Sequence, residues 1–338
     1  MKILITGGLG YIGSHVATLL LQNDVDVVVV DNLENSRIQV LDGITSITGS
    51  APVFKKLDVG NETQMDELFT EHPDIEGVIH FAAYKSVGES VSEPLRYYKN
   101  NLGGLNQLLK HSINKTIPFI FSSSCTVYGQ SENLPISEDE PLKPATSPYG
   151  NTKKIGEQII QDCCKAHPDF SAILLRYFNP VGAHDSAKIG EYPVGVPQNL
   201  VPFLTQTVKG IRPVLKVFGS SYDTPDGTCI RDYIHVMDLA QAHVDSLNYL
   251  LNKQNSESCE VYNVGTGNGV SVLELIQMFE RATGKKVPYE LSEPRTGDTI
   301  AAYADVSKIE REIGWKARYS LEEALSSAWK WEEMLHKN

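Results

Sequence analysis

Apolar residues follow two alternating rhythms along this chain. Short β-branched runs occur at Lys2 to Thr6, Val25 to Val30, Val53 to Leu57, Gly77 to Phe81, Ile117 to Ser122 and Ala172 to Tyr177. Between them, Ile12 to Gln22, Glu62 to His72, Leu95 to Ser112 and Pro148 to Ala166 carry apolar residues three and four apart over helical lengths. Strands buried on both faces read as continuous apolar runs, so the alternation predicts an α/β fold, a Rossmann-type doubly wound parallel sheet with helices on both faces.

Beyond Pro180 the texture turns Pro- and Gly-rich through Gly227, with one clear helix (Asn199 to Lys209) and one short strand (Leu215 to Phe218). The run Tyr233 to Val236, the helix Asp238 to Leu251 and the strand Val261 to Val264 restore the first rhythm. Residues 1–179 and 233–264 are therefore assigned to the Rossmann domain. Residues 180–232 and 265–338 form a smaller, loop-rich α/β domain, closed by a helix from Leu321 to Leu335.

Length supports two lobes, because 338 residues exceed the usual single core. The formal net charge of −12 argues against a surface that tracks nucleic acid, where positive charge concentrates. Five cysteines, including the adjacent Cys163 and Cys164, are poor material for a disulfide framework and point to a reducing cytoplasm. No leader-like or membrane-spanning apolar run is present, and without HExxH or CxxC no metal site is expected.

Gly7-Gly8-Leu9-Gly10-Tyr11-Ile12-Gly13 lies between a predicted strand and a predicted helix. Glycines there let the backbone approach a pyrophosphate, whose charge is stabilised by free N–H groups and the helix dipole. Asp31 ends the second strand about 20 residues on, where a carboxylate accepts hydrogen bonds from the adenosine ribose. With Asn32, Asn35 and Ser36 beside it and Arg37 the one nearby cation, NAD is favoured over NADP. Asp58 is either a partner for the adenine or a helix N-cap ahead of Glu62.

Ser147-Pro148-Tyr149-Gly150-Asn151-Thr152-Lys153 opens a helix with Ser147 as N-cap and Pro148 at its first position. Tyr149 and Lys153 then share a face, and an ammonium beside the phenol favours its ionised form. Tyr249 and Lys253 repeat that spacing late in another helix, so spacing alone does not identify the reacting pair. Ser124 selects the first pair, because it lies just past a strand at the carboxyl edge, where such sheets bind ligands.

These residues, with the TGGLGYIGSH start, Phe81-Ala82-Ala83, Asn100-Asn101 and Ser122-Ser123-Ser124, resemble the extended short-chain dehydrogenase/reductase family. Tyr177-Phe178-Asn179-Pro180, Phe218 through Asp226-Gly227-Thr228 to Arg231-Asp232-Tyr233-Ile234-His235-Val236, and Arg295-Thr296-Gly297-Asp298 are similar to its epimerases of UDP-glucose and UDP-galactose. The resemblance implies NAD contacts at Tyr11, Ile12, Val59, Phe81, Ala82, Ala83, Lys85, Asn100, Ser122 and Tyr177. It implies substrate contacts at Lys85, Ser124, Phe178, Asn179, Asn199, Leu200, Lys216, Phe218, Arg231, Arg295 and Asp298, with Tyr149 serving both groups and Lys153 the cofactor.

The implied reaction has Tyr149 take the proton of the sugar 4-hydroxyl while hydride passes from C4 to NAD. The 4-keto sugar then turns its other face to the same NADH. Ala302, smaller than the tyrosine of stricter members, implies room for UDP-N-acetylhexosamines. A dehydratase is disfavoured, since Cys125 and Thr126 stand where such relatives carry Asp-Glu. A UDP-uronate epimerase or decarboxylase, or another NAD-dependent nucleotide-sugar-modifying enzyme of the family, stays open as the alternative, and the family implies a homodimer.

Overall fold

The structure, a computed structural model, describes residues 1–294 and 298–335. It forms two compact units. The first takes residues 1–127, 144–176 and 240–262, and the second takes 128–143, 177–239 and 263–338.

The first unit is built on a seven-stranded sheet whose order, from one edge to the other, is Cys259–Val264, Ala172–Tyr177, Phe119–Ser122, Ile75–His80, Lys2–Thr6, Asp26–Asp31 and Val53–Lys56. Pairings among the first six strands in sequence are all parallel. The chain starts in the middle, builds outward to one edge and then crosses to the other side, as a doubly wound sheet does. Leu4, Val28, Val78 and Phe119 pack on one face against Leu105, Leu108 and Ile160 of the helices Pro94–Lys115 and Pro148–Ala166. The predicted α/β class is the observed one.

Most predicted elements recur within two or three residues, and Pro148–Ala166 and Leu321–Leu335 recur with the same ends. The helix after Asp58 begins at Glu62 with Asn61 as its cap, whose side chain accepts from Gln64 N at 3.1 Å. Asp58 is therefore not the N-cap; its Oδ1 accepts from Gly60 N at 2.8 Å inside the preceding turn.

In the second unit the strand Ile230–His235 pairs in parallel with Asn179–Val181 and Ala301–Ala302 and antiparallel with Gly269–Ser271. The helices Leu200–Val208, Val272–Thr283 and Leu321–Leu335 close its core around Leu204, Leu275, Phe279, Leu325 and Trp329. Residues 128–143 and 233–239, with the short ends 177–179 and 263–264, group with this unit, unlike in the sequence-based division. The first stretch is tied there by Ile136, whose N–H donates to Tyr303 O at 2.9 Å. The second continues a strand begun at Ile230, which has all its partners in this unit.

Candidate active site

Four loops at the carboxyl edge of the first unit's sheet carry most of the expected cofactor residues. Gly7 follows the central strand at φ +68°, and a Cβ there would lie 2.8 Å from Ala82 N. A Cβ on Gly13 would meet Gly7 O at 2.5 Å, so the first helical turn lies against the loop itself. That helix, Tyr11–Gln22, has Gly10 as N-cap, which brings no side chain of its own over the first turn, and no acidic residue in that turn. Such a terminus presents N–H groups to an anion, and the cradle fits a dinucleotide pyrophosphate.

Asp31 is buried at the end of its strand and ties two of the loops together. It accepts from Leu9 N at 3.1 Å, Leu33 N at 2.9 Å and Ser36 Oγ at 2.6 Å. A carboxylate has about four acceptor sites, so capacity for a ribose hydroxyl is left over. Asn32 and Asn35 are exposed beside it, and Asn32 Oδ1 accepts from Glu34 N at 3.0 Å. Val59 is core packing, whereas Asp58 is exposed. Phe81, Ala82 and Ala83 follow the neighbouring strand half-buried, and Lys85 beyond them is exposed.

The reacting residues sit on the next strand and helix. Ser147 accepts from Gly150 N at 3.1 Å with Pro148 in the first turn, which fixes where the helix starts and hence where Tyr149 stands. Tyr149, Lys153 and Ser124 are 8%, 5% and 7% exposed, so all three are largely withdrawn from water. Lys153 Nζ donates to Ser122 O at 2.6 Å, two residues before Ser124, and lies 4.9 Å from the centre of the Phe121 ring. Ser124 Oγ accepts from Thr126 N at 3.2 Å, closing the turn that presents it. Burial pushes the Lys153 ammonium down to about 8, against the opposing pull of the Glu157 carboxylate. At neutral pH it is still mostly a cation, as an aid to phenolate formation requires.

Sequence reasoning assigned no role to several residues that organise this centre, Asn101 of the Asn100-Asn101 motif among them. Asn101 is buried, accepts from Tyr84 N at 2.8 Å and donates to Tyr84 O at 3.1 Å and Thr152 Oγ1 at 3.0 Å. It thus joins the loop after Ala83 to the helix of Tyr149, while its neighbour Asn100 donates to it at 2.9 Å. Glu157 is buried with Arg176 and Ser123, and its signal was legible as the next step of the four-residue ladder from Tyr149 through Lys153. His243 meets Ser122 Oγ at 3.3 Å and follows no local pattern.

The second Tyr-Lys pair is not brought together on a helix. The helix Val236–Leu251 ends before Lys253, which is exposed and left-handed at φ +54°.

Of the candidate substrate residues in the second unit, Arg231 lies on the strand Ile230–His235 and Asn179 and Ala302 lie on strands paired with it. Ala302 is buried and pairs with Arg231, and Asn179 pairs with Tyr233 on the other side. Arg231 is half-buried, with Nη1 donating to Ile230 O at 2.8 Å. Phe178 is buried, its N–H donating to Val264 O at 3.1 Å, and follows Tyr177, which belongs to this unit. Phe218 is half-buried at the end of a separate two-stranded sheet, and Lys216 on that strand is exposed, 3.8 Å from Glu290. Asn199 caps the helix of Leu200 and donates to Glu191 Oε1 at 2.6 Å. Asp298 is half-buried, and Arg295 lies outside the described residues.

Known proteins match along nearly the whole chain. The family described as GDP-mannose 4,6 dehydratase matches residues 4–328. A UDP-glucose 4-epimerase of Bacillus subtilis is 48% identical over 98% of this chain and 97% of its own length, and one of Dictyostelium discoideum is 47% identical over 98% and 96%. Among solved structures, a UDP-glucose 4-epimerase from Stenotrophomonas maltophila, with bound NAD and formylated UDP-arabinopyranose, superposes with a TM-score of 0.95 at 46% identity, covering 99% of this chain and 98% of that one. The Bifidobacterium longum UDP-glucose 4-epimerase, in complex with NAD+ and UDP, gives 0.94 at 44% identity over 99% and 98%.

Proposed function

The chain belongs to the UDP-glucose 4-epimerases of the extended short-chain dehydrogenase/reductase family, and from that premise we propose how its residues invert C4 of UDP-glucose and UDP-galactose. It is an NAD-dependent isomerase. The observation that best supports the residue roles is the buried Tyr149–Lys153 step, anchored by the 2.6 Å bond to Ser122 O beside Ser124.

The Gly7–Gly13 cradle and Asp31 would hold NAD, which would supply the acceptor and donor of the C4 hydride. Tyr149 takes the proton from the sugar 4-hydroxyl and, once the ketone has turned, gives it back to the same oxygen, so that inversion lies in the face of C4 that regains hydride. Lys153 holds positive charge beside the phenol, and Ser124 aligns the same oxygen through its hydroxyl. Burial of all three excludes water that would otherwise compete for the transferred proton. Arg231, Arg295 and Lys216 are assigned to the diphosphate, Phe218 to the uracil face, and Phe178, Asn179, Asn199, Leu200 and Asp298 to the rest of the nucleotide and sugar. Lys85 is assigned to the nicotinamide side.

Ala302 leaves room for an N-acetyl group, so UDP-N-acetylglucosamine and its galactose epimer are proposed as further substrates. The enzyme is proposed to act as a cytoplasmic homodimer through the helices Pro94–Lys115 and Pro148–Ala166. Among the described residues no helix is long and apolar enough to cross a membrane.

The test incubates purified, NAD-loaded protein with UDP-galactose and separately with UDP-N-acetylgalactosamine, and separates the products. UDP-glucose and UDP-N-acetylglucosamine are expected. Absence of UDP-glucose would end the epimerase reading, and absence of the acetylated product alone would end only the inference from Ala302.

A further inference from the structure

The helix Pro148–Ala166 carries a third buried polar group in line with the reacting pair. Tyr149, Lys153 and Glu157 are spaced four apart, which places them on one face. Lys153 Nζ donates to Ser122 O at 2.6 Å, and one turn on Glu157 Oε1 accepts from Ser123 Oγ at 2.5 Å. Glu157 is 1% exposed. Its carboxylate is held by the Arg176 guanidinium, with Nε to Oε1 at 2.9 Å and Nη2 to Oε2 at 2.7 Å. Arg176 is itself 4% exposed and lies on the strand Ala172–Tyr177, which pairs with the strand ending at Ser122.

Two turns of one helix therefore grip successive residues of the chain that presents Ser124. Lys153 takes the backbone of Ser122, and Glu157 takes the side chain of Ser123. A buried ion pair is a poor source of stability compared with well-packed apolar residues, so its place beside the reacting trio asks for a role other than packing. The fork geometry of the arginine fixes the carboxylate in one orientation, which a lone buried Glu would not have.

We propose that Glu157, aimed by Arg176, is a positioning residue for epimerisation: through Ser123 it fixes the Ser124 hydroxyl and the Ser122 carbonyl against Tyr149 and Lys153. This rests on the epimerase reading above. The site needs a serine hydroxyl and a lysine cation aligned on one substrate oxygen, and misplacement by a fraction of an ångström reduces the rate rather than the binding.

Glu157→Gln would leave a buried guanidinium poorly compensated and threatens the fold, so the informative variant is Ser123→Ala. It removes one hydroxyl and leaves the Glu157–Arg176 pair intact. Initial rates on UDP-galactose, referred to the folded, NAD-loaded fraction, are compared for wild type, Ser123→Ala, Ser124→Ala and the double variant. The expected result is a kcat about tenfold lower for Ser123→Ala with KM within about twofold; the melting temperature falls with the lost buried hydrogen bond, which is why rates are referred to the folded fraction. In the Ser124→Ala background the same change is expected to cost clearly less than in wild type, because the part of its effect that runs through the Ser124 hydroxyl is already lost. A Ser123→Ala kcat within twofold of wild type, or the same fold loss in both backgrounds, overturns the proposal. Failure of the wild type to make UDP-glucose would instead overturn the epimerase reading itself.

Discussion

A phenol with a free pKa of about 10 accepts a proton at neutral pH only where positive charge is held beside it. Lys153 can do this because the Ser122 carbonyl fixes its ammonium inside the fold. Tyr149→Phe is accordingly expected to lower kcat at least about a hundredfold while NAD stays bound, measured by epimerisation rate and cofactor content. Tyr249→Phe, by contrast, is expected to leave the rate within about twofold, since Lys253 stands outside its helix in a left-handed conformation. The two Tyr-Lys spacings are identical in sequence. Only the strand before Ser124 distinguished them in advance, since a ligand-binding strand edge is a feature of the sheet and not of a helix. Asn101 and His243 escaped for a related reason: their partners are 17 and 121 positions away, beyond any local periodicity.

At the scale of elements, helices with capping chemistry were the most legible. Ser147 and Pro148 mark the start of the reacting helix, and Ser147→Ala is expected to reduce stability by about 1 kcal/mol, seen as a lower melting temperature. Because Tyr149 lies in that first turn, kcat should fall as well, and a change confined to stability would show that the turn holds without its cap. The helix Val272–Thr283 went unread although Ser271 and Glu274 form a capping box with both bonds present. Strands of two or three residues, such as Ala301–Ala302 and Gly269–Ser271, carry too few positions to show a period and exist because Ile230–His235 offers them a partner.

For the molecule as a whole, the α/β class followed from six apolar runs, whereas the division into units depended on long-range pairings that no run displays. Acid stability is a property at this scale. Burial, reinforced by Lys153, pushes His80 down to about 3, and burial pushes His235 down to about 4 against the pull of Asp185 and Glu323. Both stay neutral in the fold, whereas in the unfolded chain they titrate near 6.5. As pH falls below 6.5 the unfolded state takes up protons that the folded state refuses, so each histidine lowers stability by up to about 1.4 kcal/mol per pH unit until its folded value is reached. Asp232 and Asp238, raised by burial, work in the opposite sense. The measurement is therefore a difference. Denaturant midpoints between pH 7 and 5 should fall less steeply for His80→Asn than for wild type, and equal slopes would contradict the assignment. Light scattering of the NAD-loaded enzyme, expected to give twice the chain mass of 37.3 kDa, tests the dimer.

The order of the strands also has a consequence for how the chain is made. Ala172–Tyr177 is flanked on one side by Phe119–Ser122 and on the other by Cys259–Val264. During synthesis the first neighbour has already emerged, but the second follows roughly eighty residues later, a delay of about 4–16 s at 5–20 residues per second. Throughout that interval the nascent sheet presents an open, apolar hydrogen-bonding edge of the kind that recruits strands from other chains. The ribosome-bound chain is thus most prone to aggregation while residues 178–258 are being added, and a chaperone that covers this edge would protect it during that window.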